Sequence, residues 1–350
     1  MKAPFSKRHR RQPGPARAGD LSSFALGALY EALMVDDEWA LQRPNGFTWW
    51  AYRLAQHVEA SPFEAPDGAT GCRLRVWTDV VAGVPDPERA ASFLGMANAF
   101  QSLSASRVDS AAATITDGFA AVVYEESVET MLPVIAAAAV LQNAAAHSHA
   151  HGLAEALGGS PAASEHPQSG ERTEMDEMLN VPAEMATNAG AEASHFGGDL
   201  LRRLEPMAEQ MGLLAFGGPQ SFSAEVPCTG VATTADLLSE DGSSDRLGSA
   251  LVQVATDQDH PQLGSGALVT MRLPFALASE DAAQAANDLN RLELVDPAPV
   301  STFGAWCNDP GGGGVAFISF LPSSIARPGL LENFLIWDTV RAQWAAEALA

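Results

Sequence analysis

The sequence predicts an α+β fold: two duplicated α-β-β-β-α-β-β-α modules, antiparallel sheets with helices, forming an intramolecular pseudo-dimer. Three observations predict it. Segments of period-two alternation and Ala- and Leu-rich helical segments occur in the same order twice. A stretch from Gly158 to about Asn180, rich in Gly, Ser, Pro and acids, has no hydrophobic period and divides the 350 residues nearly in half. Gly71, Asn98 and Phe119 match Gly266, Asn290 and Phe317 at offsets of 195, 192 and 198. The expected organisation is a disordered basic arm over 1–20, one module over 21–157, a linker over 158–185 and a second module over 186–350. Hydrophobic residues at 47% against 18% charged suit packed modules of this size.

In the first module Leu21 to Val35 carries Phe24, Leu26, Leu29, Leu33 and Met34 at helical spacing. A short strand is placed near Trp39–Leu41. Phe47 to Glu59 alternates, with Trp50, Tyr52, Leu54 and Val58 on one side, and reads as one strand. Gly71 to Val81 sets Cys72, Leu74, Val76 and Val80 against Arg73, Arg75, Trp77 and Asp79. Asp86-Pro87-Glu88 is a helix start, since Asp caps free N–H groups and Pro suits the first helical position. The buried stripe predicted for that helix is Ala90, Phe93, Leu94, Ala97 and Phe100. Strands over Ser110–Thr116 and Phe119–Glu125 are expected to turn at Asp117-Gly118, a hairpin dipeptide. Val128 to Leu157 is a long helix.

The second module repeats the order. Helix is expected over Ala191–Leu214, and strands near Ser221–Cys228, Ala250–Thr256 and Gly266–Leu277. An acidic insertion, roughly Ala235 to Arg246, precedes the second of these. Ser279-Glu280-Asp281 starts a helix with Ala282, Ala285, Ala286, Leu289 and Leu292 as its stripe. A hairpin follows, Val300–Cys307 and Val315–Leu321 around Asn308–Gly314. The last helix carries Leu330, Phe334, Trp337 and Trp344.

Several chemistries are excluded by residue supply. Residues 1–20 hold six of the 20 basic residues and one of the 43 acids, leaving 14 and 42, or −28, over the rest. Such a body repels phosphate backbones, so no nucleic acid is expected as partner. Lys2 and Lys7 are the only lysines, which removes Schiff-base, P-loop and kinase lysine chemistry. Cys72, Cys228 and Cys307 are sparse and widely spaced, which fits buried free thiols in a reducing, cytoplasmic setting. The longest apolar run, Val134 to Leu141, is far short of the roughly 20 residues of a membrane span.

His147 and His151 lie one helical turn apart, with His149 between them. No Glu accompanies them as a base, and a helix end carrying histidines is the favoured reading over a metal site. Gly311 to Gly314 links two strands and reads as a hairpin turn rather than a phosphate loop. No G-x-S-x-G elbow or paired carboxylates stand out, so no catalytic residue, metal ligand or cofactor is assigned. The candidate partner-binding residues are Phe47, Trp49, Arg73, Arg75 and Trp77, aromatic anchors with Arg at the rim. Their burial by the second module or by a crossing helix is the alternative.

In the second module VTMRLPFAL, AANDLNRLE, FGAWCNDPGGGGVAFISFLP and VRAQWAAEAL follow one another as strand, helix ending L-N-x-L, F-G-x-W hairpin and closing helix. This order resembles the type III secretion chaperone fold and the related YbjN-like proteins. The first module departs from it, with MANAFQSL and TITDGFAAVVYEES in the matching places. The resemblance covers nearly the whole chain in topology and implies a non-catalytic, chaperone-like binder of a protein or peptide segment. An internal pseudo-two-fold would make the chain a monomer. A regulatory or structural interaction protein without client binding, or an enzyme using the inter-domain cleft, are the alternatives.

Overall fold

A computed structural model describes residues 21–65, 68–189, 194–228, 248–295 and 300–349. The basic arm and the acidic insertion at 235–246 lie outside the described residues. In the first half the order is α1 (Leu21–Ala32), β1 (Ala40–Arg43), β2 (Gly46–Trp50), β3 (Ala55–Glu64), β4 (Thr70–Ala82), α2 (Pro87–Ala97), β5 (Ala105–Asp109), β6 (Thr114–Val123), α3 (Val128–Leu157). Then come β7 (Ser160–Pro161) and α4 (Val181–Ala189). The second half runs α5 (Asp199–Arg202), α6 (Leu204–Gln210), β8 (Leu214–Gly217), β9 (Ser221–Pro227), β10 (Ser249–Ala255), β11 (Gly266–Arg272), α7 (Ser279–Val295), β12 (Ala305–Asn308), β13 (Val315–Pro322) and α8 (Leu330–Leu349).

The strands form two antiparallel sheets of similar size. One has the order β1-β2-β3-β4-β6-β5, with β7 on the end of β4; the other has β8-β9-β10-β11-β13-β12. The two orders are the same. The matched residues take equivalent lattice positions: Phe119 pairs with Val76 and Phe317 with Met271. The Asn98 carboxamide exchanges hydrogen bonds with the backbone of Ser106, as Asn290 does with Trp306. A Cβ on Gly71 would meet the Val123 carbonyl at 2.7 Å, and one on Gly266 the Leu321 carbonyl at 2.2 Å.

α1 and α3 cover one face of the first sheet, and α6 and α8 cover one face of the second. The halves meet through α2 against α7, with α7 also on β5 and α2 on β12. Two connecting segments are exchanged. Thr302 N–H donates to the Ala120 carbonyl and its Oγ1 accepts from Ala120 N–H, along β6. In return Phe320 N–H on β13 donates to the Ser102 carbonyl, and Ser102 Oγ donates to the Phe320 carbonyl. One apolar core runs through both halves, with Phe119 and Phe303 rings 5.4 Å apart at the junction.

A buried ionic group sits at this junction. Arg341 is 1% exposed; it bonds Glu293 Oε1 at 2.8 Å, Asp338, and the Ser301 carbonyl, above the Phe317 ring at 3.9 Å. Arg73 reaches across from the first half to the Glu293 carbonyl. Burial pushes the Asp338 carboxyl up to about 6, against the pull of Arg341, and raises Glu293 as well.

Several expectations need correction. Four strands, not three, precede α2 and α7. The segment 47–59 is two strands, because the chain turns at Ala51–Leu54 and pairs Trp50 with Ala55. Leu214 belongs to β8 rather than to a helix. Asp117-Gly118 lies inside β6, and the hairpin turns at Ser110–Ala113 instead. Gly118 is there for space: it pairs with Trp77, and a Cβ would come within 2.4 Å of the Val76 carbonyl and 2.7 Å of Trp77 Cβ.

Residues 158–185, expected as a solvated linker, are laid along the first sheet. Ser164 and Asp176 N–H donate to the carbonyls of Arg53 and Ala51, and Trp50 Nε1 donates to Ser164 Oγ at 3.0 Å. Among the described helices α3 alone has the length and apolar composition to cross a membrane, at a mean hydropathy of 1.4, and 56% of that stretch is buried.

Candidate functional site

The five predicted partner-binding residues do not share a surface. Phe47 and Trp49 are 2% and 1% exposed on the face covered by α1 and α3, where Trp49 Nε1 donates to Gln56 Oε1 at 2.6 Å. The turn at Ala51–Leu54 resets the side-chain alternation and so puts Phe47 and Trp49 on the helix-covered face. Arg73 is buried in the ionic junction. Only Arg75 and Trp77 remain together and half-buried, on the opposite face of β4. There the Arg75 guanidinium pairs with Glu59 at 2.5 Å and lies 5.6 Å from the Trp77 ring, which stacks on His57.

An exposed aromatic surface lies elsewhere, on α2 and the turn Asn98–Phe100 that follows it. That helix has an Asp86 N-cap accepting from Arg89 N–H and buries Ala90, Ala91, Leu94 and Gly95. Gly95 lets α7 approach closely, because a Cβ there would sit 2.9 Å from Ala283 Cβ. With the small residues inward, Phe93, Met96 and Phe100 turn out and are 36%, 58% and 74% exposed. The expected burial of Phe93 and Phe100 is thus reversed, since the helix packs through alanine and glycine and not through its largest side chains.

Three adjoining cavities share Phe93 and Phe100 as lining and form a groove along this surface. The first, of about 780 Å³, has a lip of Asp86, Glu88, Glu280 and Asp281 with Arg89 as its one cation, and shares Phe93 with the next. The second, of about 500 Å³, is mainly apolar, with Leu94, Ala97, Gly152 and Leu153. Phe100 and His260 join it to the third, about 350 Å³, where Gln101, Ser104, Gln142 and Gln262 supply polar groups. Burial lowers the His149 and His260 pKa values, so both imidazoles lean to the neutral form.

His260 is set by a turn whose sequence occurs twice in the chain. The pentapeptide H-P-Q-x-G occurs twice, at 166–170 and 260–264. In both, His and Gly exchange backbone hydrogen bonds of 2.9 Å, and Gly has a positive φ. His260 Nδ1 accepts from Gln262 N–H at 3.2 Å, leaving its Nε2 to donate to the Phe100 carbonyl at 3.0 Å. His166 Nδ1 accepts likewise from Ser169 N–H, and its ring packs edge-on to Trp39 and Trp50.

His147 and the Gly311–Gly314 turn are held by local hydrogen bonds. His147 donates from Nδ1 to the Asn143 carbonyl and accepts at Nε2 from Leu54 N–H, and α3 continues past His151 to its cap at Gly158. Among the described residues no three His, Cys, Asp or Glu side chains are grouped as metal ligands. In the Gly311–Gly314 turn Asp309 accepts from Gly311 N–H and pairs with Arg272 at 3.2 Å.

Fold and groove together define a two-sheet antiparallel protein with an open, aromatic-ridged channel. Neither a family model, nor a curated protein, nor a solved structure matches the chain.

Proposed function

We propose that the chain is a non-catalytic binding protein, two tandem secretion-chaperone-like copies packed as an intramolecular pseudo-dimer, that captures a protein segment in the α2 groove. The observation that carries it is a row of three adjoining cavities that share Phe93 and Phe100, the middle one mainly apolar and the outer one lipped by Asp86, Glu88, Glu280 and Asp281. The occupant this suits is a basic amphipathic helix, its apolar face on the ridges and its cations on the acidic lip. The body's −28 charge would draw such a segment in. The shared strand order and the reciprocal exchange of 101–104 and 300–303 support the tandem reading. In it the second copy occupies the place of a dimer partner, so a 36.7 kDa monomer is expected in solution.

A designed Leu/Lys amphipathic helical peptide is the probe, with its Leu/Glu counterpart as control. The basic peptide should bind and the acidic one should not. Phe93→Ala with Phe100→Ala should raise the off-rate by the equivalent of about 1–2 kcal/mol per anchor. Salt should slow association, since attraction beyond about 8 Å is screened at physiological ionic strength. Equal binding of both peptides, or unchanged release from the double variant, would refute capture in this groove.

A further inference from the structure

A second cavity, separate from the groove, lies on the face of β4 that keeps Arg75 and Trp77. It holds about 280 Å³ and is lined by Glu59, Arg75 and Trp77 from the sheet, Arg107, Asp109 and Thr116 from the β5–β6 hairpin, and Arg291, Leu294 and Val295 from the end of α7. Both halves therefore build it.

Its charge runs against the rest of the molecule. Three arginines meet there in a chain of net charge −23. Arg75 is matched by Glu59. Asp109 is committed to the hairpin turn, its Oδ1 accepting from Ala111 and Ala112 N–H. Arg291 is about half exposed and stands 3.9 Å from Asp288. That leaves Arg107, 7% exposed, with Nη1 buried and without a hydrogen-bond partner. Burial lowers its pKa to about 10 against the Coulomb attraction of Asp117, Asp79 and Asp109, so it is a cation at neutral pH. A buried guanidinium nitrogen with no acceptor is costly unless something supplies one.

The walls say what carries the acceptor. Trp77 lines the cavity beside Arg75, its ring stacked with His57 and 5.6 Å from the Arg75 guanidinium. Leu294 and the 60% exposed Val295 form the apolar side. We propose that this cavity binds a small monoanion, a carboxylate carried on a flat apolar body, with the carboxylate on Arg107 and Arg291 and the body against Trp77 and Leu294. A guanidinium fork suits the two carboxylate oxygens.

The test uses naphthalene-2-carboxylate, its neutral carboxamide and inorganic phosphate on the full chain, read by calorimetry and by the arginine Nε–H signals in NMR spectra. The carboxylate should bind and shift the Arg107 signal. The carboxamide should bind at least tenfold more weakly, and phosphate more weakly still for want of a wall contact. Arg107→Met should abolish binding. Arg291→Ala, at an exposed position that leaves folding intact, should weaken it about tenfold. Arg202→Ala, which removes the same charge but lines none of these cavities, should leave it unchanged. Failure of the carboxylate to bind at millimolar concentration, equal binding of the carboxamide, or an equal loss in Arg202→Ala would each overturn the proposal.

Discussion

Replacing Arg341 with Met removes the guanidinium that bridges Glu293 and Asp338 at the junction of the halves. Nothing in that site is open to water: Arg341 is 1% exposed, Glu293 2% and Asp338 0%. Removing one partner of a buried ion pair costs about 3–5 kcal/mol, because the remaining charge is stranded. Here two carboxylates are stranded, so the upper part of that range is expected at pH 7.5. The loss should depend on pH. Asp338 in the folded chain is raised to about 6 from an ordinary 3.8, so the folded state binds more protons than the unfolded one between those values. Through this group stability rises as pH falls across the window. Without Arg341 both carboxyls rise further, and protonating them relieves the strain that the variant adds. Urea unfolding of Arg341→Met should therefore show a deficit at pH 5 smaller than at pH 7.5 by about 1 kcal/mol or more. Adding Asp338→Leu and Glu293→Gln should recover most of the loss, as whole buried ionic groups are often replaced at little cost. A deficit under about 1 kcal/mol at pH 7.5, or one identical at both pH values, would refute this account of the junction.

Two further substitutions probe packing. Trp49→Ala should cost about 3–5 kcal/mol in urea unfolding, as a core tryptophan whose loss also strands Gln56; a cost under 1 kcal/mol would place it outside the core. Gly95→Val should lower stability by about 1–3 kcal/mol by forcing α2 off α7, while Gly27→Ala on α1, with nothing within 4 Å, should gain up to about 1 kcal/mol. Thermal unfolding of the two glycine variants reads both signs.

The elements with strong local signals were legible in the sequence. Asp86-Pro87 starts α2 because cap and proline act locally, and the alternation over 71–81 survives as β4 because a strand with one face on helices must alternate. The alternation over 47–59 misled because a four-residue turn with aromatic and apolar side chains keeps the appearance of a strand. Asp117-Gly118 misled because its glycine answers to β4 across the sheet at Trp77, 41 residues away, a contact that no local rule sees. The groove was hidden for a similar reason. Phe93 and Phe100 have core-like spacing, and only the small residues Ala91 and Gly95, matched with Ala283 on α7, reveal that the larger side chains face out. The repeated H-P-Q-x-G was the one signal for the site that stood in plain view.

The exchange of connecting segments makes the order of synthesis matter. The upper part of β6 takes its outer partner from Thr302, which follows Ala120 by 182 residues. At ordinary elongation rates of about 5–20 residues per second, the first half waits on the order of 10–40 s with that edge unpaired. During that time it is an open template for any extended chain nearby, including the same edge on a neighbouring nascent copy. A protein so built has its most vulnerable state before Thr302 leaves the ribosome, and a truncation ahead of Thr302 would do more than remove β12, β13 and α8: it would leave the upper part of β6 without its outer partner.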